Sequence, residues 1–186
     1  CDFEKDDIRG FLESEEGFND IDILINNAGI NKIDYLESVD DEDFDNIMKV
    51  NVKAPLVLSK HVIKNMVKNN WGRIVNISSV WGTKSIEKRT SYTTSKYAIR
   101  GMTKTMAIEL ADKNILVNSV SPGFTNTELT SKILSEKQKA TLVKKVPINR
   151  MAEPYEIANV VAFLCSDFNT YITGQDIVVD GGFLIS

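Results

Sequence analysis

The chain is poor in residues that cross-link or ligate. Its 186 residues include two cysteines, Cys1 and Cys165, near opposite ends, and one histidine, His61. Two distant thiols make no disulfide framework and suit a reducing compartment, so a cytoplasmic location is expected. One histidine without cysteine neighbours gives no cluster with metal-ligand spacing, and no metal site is expected. Cys165 closes the run Val160-Val161-Ala162-Phe163-Leu164, where it reads as a small buried hydrophobe. His61 stands at helical spacing from Val57 and Met66, and reads as packed or at a subunit contact, not as catalytic. No apolar run nears the ~18 residues that span a bilayer, and no signal peptide is visible, so no membrane partner is expected. A basic excess is also lacking: 22 Lys and Arg against 26 Asp and Glu leave a net charge of −4. That sign argues against a general nucleic-acid binder. Repeats, low-complexity tracts and interdomain linkers are absent. What remains, 42% hydrophobic and 26% charged, is ordinary for one globular domain.

Short apolar runs alternate with longer amphipathic ones. Ile21-Asp22-Ile23-Leu24-Ile25 reads as a strand closed by the turn signal Asn26-Asn27-Ala28-Gly29. From Asp40 to Asn69, Phe44, Ile47, Met48, Val52, Leu56, Val57, Ile63 and Val67 recur at helical spacing. Asp40 with Asp43 suits an N-cap and an acidic first turn. Pro55 is placed to kink this helix. Residues 72–79 read as a second strand, 91–111 as a long helix, and 115–120 as a third strand closed by Pro122-Gly123. Residues 126–146, polar and lysine-rich, read as helical and suited to a mobile flap. A helix over 154–164 and a strand over 176–180, followed by Gly181-Gly182, complete the pattern. Nearly continuous apolar strands separated by helices imply a parallel sheet covered on both faces. The expected fold is one α/β domain with a doubly wound parallel sheet, Rossmann-like.

Tyr92 and Lys96 are four residues apart near the start of a predicted helix, so both side chains fall on one face. A free phenol, with a pKa of about 10, is a poor base at neutral pH. A nearby ammonium favours the phenolate and suits it to exchange a proton with an alcohol or ketone. Ser79 ends a predicted parallel strand, where open α/β sheets place ligands, and its hydroxyl is suited to a substrate oxygen. Asn51 lies mid-helix, an unfavourable place for a polar side chain without a task.

Six motifs in order carry a resemblance: Asn26-Asn27-Ala28-Gly29, Asn51-Val52, Ile77-Ser78-Ser79, Tyr92-Thr93-Thr94-Ser95-Lys96, Pro122-Gly123 with Thr127, and Asp180-Gly181-Gly182. The chain resembles the short-chain dehydrogenase/reductase family throughout, and most of all its 3-oxoacyl-acyl-carrier-protein reductase group. The resemblance implies a nicotinamide cofactor, NADP with NAD as the alternative, and a small carbonyl or alcohol substrate. It makes Tyr92 the general acid/base. Lys96 lowers the Tyr92 pKa and binds the nicotinamide ribose, Ser79 stabilises the substrate oxygen, and Asn51 holds a water linking Lys96 to solvent. Cofactor contacts are implied for Asn27, Ala28 and Gly29, for Pro122, Gly123, Thr125 and Thr127, and for Asp2-Phe3 as the acidic-apolar pair beside adenine. It also implies a homotetramer paired through the helices around 44–68 and 91–111 and through Phe183-Leu184-Ile185-Ser186.

The family's glycine-rich phosphate loop, of form T-G-x-x-x-G-x-G, does not occur, and the chain starts at Cys1. The expectation is that residues 1–186 are the C-terminal three-quarters of one domain, with roughly 60 residues of strand and helix upstream. Without them, poor folding and no cofactor binding are expected of the piece, and an idle relic serving as a partner subunit becomes a reading. Such reductases often carry a basic residue before the Gly-Arg-Ile strand, where Asn69-Asn70-Trp71 stands. The basic loop Lys84 to Arg89 opens a second substrate reading, a phosphorylated sugar or sugar nucleotide. Trp81 suits either a wall of the substrate pocket or plain packing.

Overall fold

Four short apolar runs become one parallel sheet in the computed structural model, which describes residues 1–14, 18, 20–127, 130 and 135–186. Strands β1 (Ile23–Asn26), β2 (Gly72–Ile77), β3 (Ile115–Pro122) and β4 (Asp176–Val179) lie in the order β1-β2-β3-β4, each parallel to its neighbour. Among the described residues, α-helices α1 (Ile8–Ser14), α2 (Asp41–Met48), α3 (Ala54–Asn69), α4 (Thr90–Leu110), α5 (Glu136–Val143) and α6 (Pro154–Cys165) join or flank them.

Alternation along β2 and β3 divides the core. Ile74, Ile115 and Val117 pack against Val62 and Met66 of α3 and Ala107 and Leu110 of α4. Val75 and Val120 point the other way, against Ile157, Val161, Leu164 and Cys165 of α6. At β2 and β3 the sheet is therefore covered on both faces, as the apolar strand pattern predicts, while Ile23 and Ile25 of β1 remain 44% and 47% exposed. Cys165 is buried with a free thiol, and desolvation raises its pKa.

Under α4 the sheet changes character along its strands. One register level joins Leu24, Ile74 and Val117, all apolar; the next on that face joins Asn26, Asn76, Ser119 and Asp176. The core thus turns polar toward the C-terminal strand ends, where α/β sheets of this kind hold ligands. Side-chain hydrogen bonds link this row to the helix: Asn26 Nδ2 donates to Asn76 Oδ1, and Asn76 Nδ2 to Thr103 Oγ1 on α4.

The helix expected over 40–69 is interrupted. Asp40 caps α2 as anticipated, its carboxylate accepting from the Glu42 and Asp43 amides at 2.8 and 3.3 Å. Residues Lys49–Lys53 then form a π-turn before α3 begins, and the Ala54 amide donates five residues back to the Lys49 carbonyl. Pro55 explains the break: it has no N–H for the carbonyl of Asn51, and its ring crowds that position in a regular helix. Within 126–146 the helical expectation holds for α5; residues 128, 129 and 131–134 lie outside the described residues.

Candidate active site

Three adjacent strands end side by side, and each delivers part of the site. Beyond β1, Asn27, Ala28 and Gly29 are exposed. Beyond β2, Ser79 is extended and 8% exposed, and its Oγ accepts the Trp81 amide at 3.2 Å. Beyond β3, the Gly123 amide donates to the Val179 carbonyl at 2.9 Å. A Cβ at Gly123 would sit 2.7 Å from Asp180 Cα, so only glycine lets these strand ends close together.

α4 brings Tyr92 and Lys96 to the same edge within its first two turns. The Ser79 turn is tied to this helix at three points. Ser78 Oγ donates to the Lys96 carbonyl at 3.2 Å, Tyr97 Oη to the Thr83 carbonyl at 2.6 Å, and Arg100 Nη1 to the Gly82 carbonyl. Ser79 is thereby held in register with Tyr92, and hydrogen bonding between the two side chains favours the phenolate.

Charge at the pair differs from the sequence expectation. Burial raises the Tyr92 pKa above the ordinary phenol value, and only in part do Ser79 and the Arg89 charge pull it back. Lys96 is 4% exposed, and burial lowers its pKa to about 8. Its Nζ lies 5.5 Å from the Tyr92 ring centroid and donates to the Ile77 carbonyl at 2.8 Å. The ammonium expected to depress the phenol pKa is thus itself desolvated and turned to the β2 backbone.

Asn51 sits in the π-turn, 1% exposed. Its Oδ1 accepts the Ile30 amide at 2.9 Å, and its Nδ2 donates to the Ile30 carbonyl at 2.9 Å and to Ser95 Oγ at 3.0 Å. Ser95 Oγ in turn donates to the Tyr92 carbonyl at 2.7 Å. One amide therefore joins the loop after β1 to the first turn of α4. A Cβ built at Gly29 would lie 3.5 Å from both Asn51 Oδ1 and Lys96 Nζ. That is ordinary contact distance, so no protein neighbour demands glycine there; the missing Cβ leaves space between Asn51 and Lys96.

The remaining sequence candidates lie further out. Asp2 is exposed, accepts the Glu4 amide at 3.0 Å and pairs with Lys5 at 3.3 Å. Phe3 packs with Ile8, Leu12, Ala54 and Val57. Thr125 bridges to Ala152, and Thr127 shares a hydrogen bond with Thr130 at 3.0 Å. Trp81 makes edge-on contacts with Phe124 and Phe183 at 6.2 and 5.8 Å. Sequence reading missed Arg100, whose Nε meets Asp176 at 3.0 Å, while Ser119 and Ser121 hydroxyls donate to the same carboxylate at 2.6 and 2.8 Å. A basic residue two turns beyond Tyr92 and an acid opening the last strand were the available signals.

A parallel sheet with Ser79 at a strand end and Tyr92 and Lys96 brought to it by α4 defines a class, and comparison with known proteins agrees. Residues 4–184 match the family model described as enoyl-(acyl carrier protein) reductase. The chain belongs to the short-chain dehydrogenase/reductase family of nicotinamide-dependent oxidoreductases. It is 44% identical over 165 residues to the 3-oxoacyl-[acyl-carrier-protein] reductase FabG of Rickettsia felis, covering 89% of this chain and 68% of that protein. The Thermotoga maritima FabG is 42% identical over 183 residues, covering 98% and 74%. Among solved structures, 4-hydroxyisoleucine dehydrogenase complexed with NADH superposes with TM-score 0.93 at 35% identity, covering 100% and 78%. A gluconate 5-dehydrogenase from Burkholderia cenocepacia, in complex with NADP and tartrate, gives TM-score 0.87 at 30% identity, covering 95% and 69%. No described helix is long and apolar enough to cross a membrane.

Proposed function

We propose that the chain reduces the ketone of a 3-oxoacyl thioester, with NADPH as hydride donor, to the 3-hydroxyacyl product. The set of Ser79, Tyr92 and Lys96, with Ser79 and Lys96 buried and Tyr92 half-buried, carries this reading. At Gly29, where a Cβ would lie 3.5 Å from Asn51 Oδ1 and Lys96 Nζ, a ribose would find a carboxamide oxygen and an ammonium for its hydroxyls. Asn27, Ala28, Pro122, Gly123, Thr125 and Thr127 would line the rest of the cofactor, with Asp2 and Phe3 beside its adenine. The nicotinamide supplies the hydride when bound.

The chain's own residues manage the proton. The Ser79 hydroxyl donates a hydrogen bond to the substrate carbonyl oxygen and orients it. Tyr92 gives its phenolic proton to that oxygen as negative charge develops there; its raised pKa keeps it protonated at neutral pH. The phenolate left behind is stabilised by Ser79 and by the cations Arg89 and Lys96. Lys96 returns the proton, and a water held at Asn51 restores the ammonium from solvent. The balance is C=O + NADPH + H⁺ to CHOH + NADP⁺.

The relatives favour an oxoacyl substrate: FabG proteins share 40–44% identity with this chain, the gluconate 5-dehydrogenase 30%. The sugar-acid reading stands second on those structural neighbours. NADPH oxidation with acetoacetyl thioester against 5-ketogluconate separates them: turnover of the thioester alone is expected, and turnover of the sugar acid alone overturns the substrate assignment. An intact Tyr-Lys pair argues for an enzyme over a relic, which would turn over neither.

The protein is further read as a cytoplasmic homotetramer. Exposed Leu56 and Val67 on α3 and Tyr97 and Ile108 on α4 support one interface. Tyr155 and Phe163 on α6, Val178 on β4 and Ile185 support another. Light scattering is expected to give four times the protomer mass.

A further inference from the structure

A cavity of about 550 Å³ opens on the far side of the aromatic wall next to Ser79. Lys84, Lys144, Lys145, Asn149 and Phe183 line it. The three lysines come from two separate segments, the loop after Ser79 and the end of α5. None of the three pairs with a carboxylate among the described residues. Lys84 Nζ stands instead 5.6 Å over the Phe183 ring, a cation–π contact. Three like charges gathered around one hollow repel each other, in a chain whose net charge is −4. Such a cluster raises the local concentration of anions.

The hollow connects to the chemistry through one aromatic layer. Phe183 and Val146, both on its lining, pack with the buried Val80. Its ring packs on Trp81 at 5.8 Å, and the Trp81 amide donates to Ser79 Oγ at 3.2 Å. A ligand whose carbonyl sits at Ser79 can therefore extend past Trp81 and Phe183 and end among the lysines. Lysine is suited to a phosphate there, acting as a strongly hydrated point charge that can meet an ion from several directions.

We infer that this cavity is a phosphate subsite, receiving the phosphorylated end of the substrate whose ketone is reduced at Tyr92. The inference rests on the reductase reading, yet it concerns binding and is testable without turnover. Under that reading the occupant is the phosphate of a pantetheine-type thioester arm; a sugar phosphate is the other source of the same chemistry.

Trp81 serves as the reporter, with Trp71→Phe removing the other indole. The fluorescence of this protein is titrated with 4′-phosphopantetheine, with pantetheine, with glucose 6-phosphate and with glucose. The expected result is a saturable change with 4′-phosphopantetheine and none with pantetheine at the same concentrations. Binding should weaken at least about tenfold when Lys84, Lys144 and Lys145 are all changed to Gln, each exposed charge contributing a factor of a few. It should also weaken on raising salt from about 20 to about 500 mM. Saturation by glucose 6-phosphate alone keeps the phosphate subsite and assigns it to a sugar phosphate. Equal response to phosphorylated and unphosphorylated ligands, or unchanged affinity in the triple variant with native circular dichroism, overturns the inference. If thioester reduction fails while 4′-phosphopantetheine still binds through the lysines, the reductase reading falls and the subsite stands.

Discussion

Arg100 of α4 and Asp176 at the start of β4 form an ion pair at 3.0 Å, beneath the turn that carries Ser79. The Asp176 side chain is 7% exposed and the Arg100 side chain 24%. Through its Nη1 the same guanidinium holds the Gly82 carbonyl, so the pair fixes the Ser79 turn to the helix bearing Tyr92 and Lys96. Arg100→Met is expected to destabilise the fold by about 3 kcal/mol, because it leaves a nearly buried carboxylate without its cation. Adding Asp176→Asn should recover part of that loss, as the Ser119 and Ser121 hydroxyls still find an acceptor. Urea unfolding of the single and double variants measures both, and equal losses would show that the charges are not coupled.

Burial of Lys96 makes stability depend on alkaline pH. Its folded pKa, about 8, lies below the ordinary value of 10.5, so between those limits the unfolded chain binds more protons. Stability from this group therefore rises as pH increases from about 8 and is lost as pH falls through that value. The full swing between those two values is about 3 kcal/mol. Comparing unfolding of the parent and Lys96→Met between pH 7 and 10 isolates it. The parent should gain on the variant across that range; parallel curves would mean that the ammonium is well solvated.

Asn51 holds the loop after β1 against α4, apart from its proposed place on the proton path. Asn51→Ala removes acceptor and donor from Ile30 and a donor from Ser95 at a site 1% exposed. A loss of about 2 kcal/mol is expected from the unmet groups. Faster amide exchange should be confined to residues 27–30 and the start of α4. Exchange unchanged at Ile30 would place the Asn51 side chain outside this link.

Much of the fold is written in short-range pattern. The β-branched runs at 23–25 and 115–120, the Asp40 cap and the Glu153-Pro154 helix start need only neighbours along the chain, and elements form there. The strand-end positions of Ser79 and Gly123 were legible for the same reason. What sequence reading missed depends on contacts between distant segments. Pro55 signalled a kink, but the π-turn around Asn51 follows from where the displaced carbonyl and amide settle. Four-residue spacing put Lys96 near Tyr92, yet whether its ammonium faces the phenol or the Ile77 carbonyl is decided by β2 packed beneath α4. The Asn26, Asn76, Ser119 and Asp176 row exists only once four strands are in register. Each residue alone reads as an unremarkable polar position.

The most direct measurement is the turnover of Tyr92→Phe with NADPH and an acetoacetyl thioester, beside its NADPH affinity. Removing one hydroxyl deletes the proposed proton donor while keeping the ring that packs near Lys96. The expected result is a fall in kcat of at least about a hundredfold, the low end of what a positioned acid contributes, with cofactor affinity changed less than about threefold. Turnover within a few fold of the parent would contradict the assignment of Tyr92 as the acid and, with it, the proposed mechanism.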